Sequence, residues 1–206
     1  MKIKICGLFR EDDIYAVNEF QSDYIGFIFY PKSKRYINSE KAADLKKILN
    51  KNIKSVGVFV NEKEEKVIEI AKNHIVDVIQ LHGNEDNEYI EKISSSTKLP
   101  VIKAFKADYD LNKNIKETKA DYILIDSYNE NTFGGTGVCF DWGVIPDEVK
   151  DRLFLAGGIN ISNVKEAIKK VNPYCIDINS GVETNGLKDK NKIEKIIKLI
   201  KGYTNE

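Results

Sequence analysis

Two residues, Cys6 and Asp126, each end a short apolar run. A thiol and a carboxylic acid can trade a proton near neutral pH if the thiol pKa is moved down and the carboxyl pKa up, so these two form a candidate acid/base pair. Each also has an ordinary structural use, Cys6 as a small buried hydrophobe and Asp126 as a helix N-cap or turn former. Basic residues are overwhelmingly lysine, with arginine only at positions 10, 35 and 152. Arg35, in a loop after an apolar run, could hold a planar carboxylate through two parallel hydrogen bonds that an ammonium cannot reproduce, or stand as a solvated charge. Gly157-Gly158 and Ser180-Gly181 also follow apolar runs. Glycine lets backbone N–H groups approach an oxyanion, and a helix expected from Asn160 would add its dipole. Together the two loops suit a phosphate, although either alone could be a plain turn.

These residues need elements to bring them together. Short β-branched runs recur at 3–6, 24–29, 55–60, 76–81, 99–105, 121–126, 152–156 and 174–179. Between them lie Lys/Glu-rich segments with apolar residues three and four apart, such as 39–49, 62–73, 160–171 and 189–200, which predict amphipathic helices. Asn61 with Glu64 after it, Ser39, and Asp141 ahead of Trp142 are the expected helix starts. Strict alternation predicts a parallel α/β sheet, because parallel neighbours need a crossover. An open doubly wound sheet would place a Gly-rich phosphate loop after an early strand, whereas here GxGxxG is absent and Gly-Gly comes late. The prediction is a single (β/α)8 TIM barrel domain over residues 1–206.

In such a barrel chemistry sits at the C-terminal ends of the strands, where all the residues above fall. Lys4 shares a strand face with Cys6 by the two-residue period, and a lysine in the lumen needs a partner. Strand 8 closes against strand 1, so a Lys4–Asp177 ion pair is expected beneath Cys6, either as a structural pair or as an ammonium that favours the thiolate. Gln80 and His82, at the end of strand 4, could line a pocket or merely bond each other. The loop 133–137, FGGTG, reads as a mobile cover or as an ordinary surface loop.

Composition sets the outer limits. Over 206 residues, 32 Lys+Arg balance 32 Asp+Glu, which removes the charge footprint of a nucleic-acid or anionic-membrane binder. Cys6, Cys139 and Cys175 are widely spaced, without a CxxC pair, so neither a disulfide framework nor a metal site is expected. The start MKIKICGLFREDD carries acidic residues where a signal peptide would stay apolar, and a cytoplasmic protein without a membrane span is expected. Helix outer faces rich in Lys and Glu lean towards a monomer, with a loop-mediated homodimer as the alternative.

KICG at 4–7, GFIFYPKSKRYI at 26–37, VGVFVN at 56–61, QLHG at 80–83, GGTG and FDW within 134–142, GGIN at 157–160 and SGVE at 180–183 occur in that order. Taken together they resemble the phosphoribosylanthranilate isomerase family of tryptophan biosynthesis over nearly the whole chain. The resemblance implies an Amadori rearrangement of a phosphorylated ribosylamine, without metal or organic cofactor. It implies Cys6 as general base at the sugar C2 and Asp126 as general acid at the furanose ring oxygen. It further implies Arg35 on the anthranilate carboxylate and Gly157, Gly158, Ser180 and Gly181 on the phosphate. Beside these, the strand-end positions of Gln80, His82 and Asp177 make them candidate substrate contacts. The chain departs from the family pattern at Phe9, at DINSGVE and at Asn185-Gly186.

Three rival readings are distinguishable. The related histidine-pathway isomerase works with two aspartates, and Cys6 on strand 1 argues against it. Indole-glycerol-phosphate synthase resembles a barrel with an N-terminal extension, whereas this chain begins at strand 1. A barrel that only binds a phosphorylated ligand has no use for both Cys6 and Asp126.

Overall fold

Alternation along the first strand, β1 (Lys2–Cys6), sorts its side chains into two environments. Ile3 and Ile5 join the apolar layer shared with the helices, while Lys4 and Cys6 occupy the opposite face. The computed structural model describes residues 1–107, 111–126 and 142–203. Within it β1 is followed by β2 (Tyr24–Ile28), β3 (Lys54–Phe59), β4 (Val78–Leu81), β5 (Val101–Lys106), β6 (Tyr122–Asp126), β7 (Leu153–Leu155) and β8 (Cys175–Ile178). All pair in parallel with their sequence neighbours, and β8 returns to β1, closing an eight-stranded barrel. The expected open-sheet rival is thereby removed. Pro100, which has no N–H to give to a ladder, explains why β5 begins later than the apolar run at 99.

Helices α1 (Glu11–Phe20), α2 (Ser39–Ile48), α3 (Glu64–Lys72), α4 (Asn87–Thr97), α5 (Leu111–Glu117), α6 (Val164–Val171) and α7 (Lys190–Tyr203) cover the barrel with their apolar stripes. Several starts differ from the sequence expectation. Asn38, not Ser39, caps α2 by accepting from Lys41 N at 2.9 Å. Asn61 is not a cap: it adopts φ 48° and its side-chain Oδ1 accepts from Asn84 N at 2.7 Å, stitching the loops after β3 and β4. Asparagine tolerates that left-handed backbone, so the residue was free to serve a loop instead of a helix. The helix expected after Asp141 is replaced among the described residues by 3-10 turns at Trp142–Val144 and Asp147–Arg152. Gly143 and Pro146 interrupt that stretch, one by backbone freedom and the other by its missing N–H. Asp141 itself, Ser127, Cys139 and the loop 133–137 lie outside the described residues.

The lumen is layered. Tyr24, Val56, Val78, Ile102, Leu124, Phe154 and Cys175 form an apolar floor. Above it Cys6, Ile28 and Val58 form a second, smaller cluster at the C-terminal ends of the strands. After β8 the chain adds a hairpin, β9 (Glu183–Thr184) and β10 (Leu187–Lys188). Its Asn185-Gly186 turn has φ 53° and 78°, the positive values that a type I′ hairpin turn requires. Among the described residues no helix is long and apolar enough to cross a membrane.

One buried ion pair braces the barrel mouth. Lys103 of β5 donates to Glu85 at 2.8 Å and to Gly83 O at 2.7 Å, while Glu85 accepts from Asn61 N and Gly83 N. Burial pushes the Lys103 ammonium below its ordinary pKa even though Glu85 opposes the shift. Lys103→Met would leave the Glu85 carboxylate buried without its cation, and a loss on the order of 3 to 5 kcal/mol is expected. Thermal denaturation should show it as a fall of roughly 6 to 20 °C. A change of a degree or two would mean that the pair contributes little.

Candidate active site

The mouth is built by neighbouring strands that deliver one or two polar residues each. The β1/β8 register sets Lys4 opposite Asp177, and the expected ion pair forms, with Nζ 2.8 Å from Oδ2. Both groups are buried, at 0% and 7% side-chain exposure, and Asp177 Oδ1 has no hydrogen-bond partner. On the other side of β1, Cys6 is paired with Gly26 of β2. A Cβ at Gly26 would sit 2.6 Å from Cys6 Sγ, so glycine there is what leaves room for the thiol.

The electrostatics of Cys6 settle what the sequence left open between a structural Lys4 pair and an ammonium that favours the thiolate. Burial raises the thiol, Lys4 lowers it, Asp177 raises it and Lys188 lowers it again, and the balance lies above the ordinary cysteine value. Lys4 acts in the expected direction, then, and desolvation outweighs it. For Lys4, burial works against the charge, but Asp177 and Cys6 together raise its pKa, so it remains an ammonium. Cys175, two residues before Asp177 in β8, is buried and raised well above the ordinary value by desolvation, which suits an inert core thiol.

Asp126, at the end of β6, reaches the same cavity with β7 and β8 standing between it and β1 around the barrel. His82 Nε2 lies 3.5 Å from Asp126 Oδ2, and His82 Nδ1 lies 2.9 Å from Gln80 Nε2. With the Gln80 amide donating to Nδ1, the neutral imidazole carries its proton on Nε2, facing Asp126. Gln80 and His82 thus do both things the sequence left open: they bond each other and they line the cavity.

Gly157 and Gly158 have φ 83° and 70°, a backbone that only glycine adopts readily, and with Ser180 they line the wall formed by β7 and β8. Gly181 does not line it. A Cβ there would come within 2.0 Å of Ile159 O, so Gly181 is what lets the loop after β8 pack against the loop after β7. The helix expected from Asn160 begins instead at Val164. Asn160 and Asn163 are used in the intervening turn, where both side chains donate to Gly158 O at 2.9 and 3.0 Å. They brace the glycine loop from behind.

Arg35, in the loop after β2, also faces the cavity, but its Nε and Nη2 already meet Glu183 Oε1 and Oε2 at 2.6 and 2.8 Å. Sequence reasoning missed Glu183 and its second partner, Lys188. The available signals were the position of Glu183 two residues after Gly181 and the Asn-Gly turn between Glu183 and Lys188.

A thiol and a carboxyl group delivered from different strands to the C-terminal mouth of a (β/α)8 barrel give the chain the layout of a barrel enzyme. The whole chain narrows the class. Residues 3–199 match the family model described as N-(5'phosphoribosyl)anthranilate (PRA) isomerase. An N-(5'-phosphoribosyl)anthranilate isomerase from Endomicrobium trichonymphae is 44% identical over 97% of this chain and 98% of its own length. A phosphoribosyl anthranilate isomerase solved in complex with reduced 1-(o-carboxyphenylamino)-1-deoxyribulose 5-phosphate is 38% identical, covers 98% of this chain and 99% of its own, and superposes with a TM-score of 0.84. A Thermotoga maritima relative, solved as monomers of a dimeric isomerase, is 36% identical with a TM-score of 0.83 and the same coverage. The chain belongs to the phosphoribosylanthranilate isomerase family.

Proposed function

We propose that the mouth residues carry out the family's step of tryptophan biosynthesis, the isomerisation of N-(5-phosphoribosyl)anthranilate to 1-(2-carboxyphenylamino)-1-deoxyribulose 5-phosphate, with Asp126 as general acid and Cys6 as general base. Asp126 gives its proton to the furanose ring oxygen as the C1–O bond breaks, and the anilino nitrogen supplies the electron pair that makes the open-chain iminium. The Cys6 thiolate then removes the C2 proton, the C2–H electrons neutralise the iminium, and the resulting enolamine becomes the ketone by moving its hydroxyl proton to C1. Atoms and electrons balance without any cofactor. His82, facing Asp126, stabilises the carboxylate left behind after proton donation.

Substrate anchors sit at both ends of the reacting carbons. Arg35 receives the anthranilate carboxylate, and backbone N–H groups of Gly157, Gly158 and Ser180 receive the phosphate, with Gly181 holding the two loops together. Gln80 and Asp177 contact the sugar between them; the unpartnered Asp177 Oδ1 is suited to accept a sugar hydroxyl. We also propose that residues 1–206 act as a single catalytic domain. The observation that carries this reading is the convergence of Cys6, Asp126, Arg35 and the two anion loops on one cavity.

The test follows the fluorescence of the anthranilate substrate, made in place from anthranilate and phosphoribosyl pyrophosphate. Rapid decay on adding the protein is expected, with no turnover of the histidine-pathway aminoaldose. Absence of decay from a folded sample, or preference for the other aminoaldose, overturns the assignment.

A further inference from the structure

Arg35 is held by residues that lie outside the barrel. Its Nε and Nη2 donate in parallel to the two carboxylate oxygens of Glu183, which occupies one fork of the guanidinium and leaves the other, Nη1 with the second Nη2 hydrogen, for a ligand. The same Glu183 accepts from Lys188 at 2.6 Å, and the Lys188 ammonium, 1% exposed, also donates to the carbonyl and side-chain oxygens of Asn179 at 2.9 Å. Two cations therefore share one carboxylate, and the cluster keeps a unit of positive charge at the edge of the cavity.

The hairpin carrying Glu183 and Lys188 is itself tied down. Arg10 donates to Lys188 O at 2.9 Å, Lys192 of α7 donates to Glu183 O at 2.6 Å, and Thr184 bonds Asp189 at 2.6 Å. Arg35 is also backed by Gly7, where a Cβ would come within 2.6 Å of its Cδ. A long, rotamer-rich side chain is thus fixed in plane and direction before any ligand arrives. A surface salt bridge has no need of a buried second cation or of a hairpin anchored by two other elements.

We propose that Glu183 and Lys188 are positioning residues for the aryl carboxylate of the substrate: Glu183 fixes the plane of Arg35 so that its outer fork meets that carboxylate in two parallel hydrogen bonds, and Lys188 leaves the cluster with one net positive charge. This rests on the reading that Arg35 binds the carboxylate. It makes the hairpin after β8 a specificity element acting at a distance from the reacting atoms.

The experiment compares two inhibitors, the reduced product analogue with its carboxylate and the same compound built on aniline. In the wild type the carboxylated compound should bind about a hundredfold tighter, as two charge-assisted hydrogen bonds imply. Arg35→Leu should remove that preference. Glu183→Ala, and the near-isosteric Glu183→Gln, which turns an N–H towards the guanidinium, should cut it about tenfold, and Lys188→Met should lower it in the same direction. Turnover should follow with a raised KM for the substrate and little change in kcat. If Arg35→Leu removes the preference but the Glu183 and Lys188 variants keep the wild-type ratio, or weaken both inhibitors equally, the positioning role is overturned and the Arg35 assignment stands. If Arg35→Leu itself keeps the ratio, both fall. Glu183→Gln decides the matter should the alanine variant fail to fold.

Discussion

In a Cys6→Ser variant, turnover falls by at least about a hundredfold while the reduced product analogue still binds as it does to the wild type. A serine hydroxyl fits the space that Gly26 leaves beside Sγ, so the pocket keeps its shape. What it loses is an ionisable proton within reach of neutral pH. Asp126→Asn behaves in parallel for the opposite reason: the amide keeps the outline beside His82 but has no acidic proton to give to the ring oxygen. The two losses should also differ in their pH behaviour. Burial holds the Cys6 thiol above its ordinary pKa, so in the wild type only a minority is thiolate at neutral pH, and kcat/KM should rise as pH increases towards the thiol pKa. That rising limb should vanish in Cys6→Ser and survive, scaled down, in Asp126→Asn. Fluorescence decay measured from pH 6 to pH 9, as a rough working window, tests all of this. A Cys6→Ser enzyme within a few-fold of wild type would remove Cys6 from the chemistry.

The parts of this site that the sequence disclosed are those governed by a regular period. Two-residue alternation puts Lys4 and Cys6 on one face, and closure of strand 8 on strand 1 names Asp177 as the partner. The same regularity located Asp126 and Gln80 at strand ends. What escaped is local and aperiodic. Glu183 and Lys188 sit on strands of two residues each, too short to leave a pattern, and as Glu and Lys they look like solvated surface. Their burial is imposed by Arg35, which arrives from a loop almost 150 residues earlier. Asn61 misled because a polar residue three before a glutamate suits a capping box, yet the loop after β4 needed its side-chain Oδ1 more. The direction of the thiol pKa was not legible, because sequence shows the neighbouring ammonium but not the depth of burial that outweighs it.

Lys4→Met should be the most damaging single change in the lumen, and it separates the structural role of the ion pair from its electrostatic one. Methionine fills nearly the same volume, but it leaves the Asp177 carboxylate buried without its cation, at a cost on the order of 3 to 5 kcal/mol. That is a large share of the roughly 5 to 15 kcal/mol by which such a protein is stable. The sign with pH follows from the raised pKa of Lys4. Its contribution is fully present below the ordinary lysine value and is lost only as pH rises through the higher value in the folded state. The deficit from losing the ammonium should therefore stay level across neutral pH in urea denaturation. Meanwhile the thiol loses its strongest favourable neighbour, keeping only the more distant help of Lys188, so its pKa should climb further. Rates of Cys6 alkylation against pH, measured beside a Cys6→Ser control to subtract the other thiols, should shift to higher pH in Lys4→Met. A second variant, Lys4→Met with Asp177→Leu, removes the stranded carboxylate and should recover much of the stability. It also removes the anion that raises the thiol, so the alkylation profile should move part of the way back without reaching the state in which an ammonium faces the sulfur alone. That state is supplied by Asp177→Leu with Lys4 intact, where the profile should fall below that of the wild type. An unchanged profile in all three variants would mean that the ion pair serves the barrel and not the thiol.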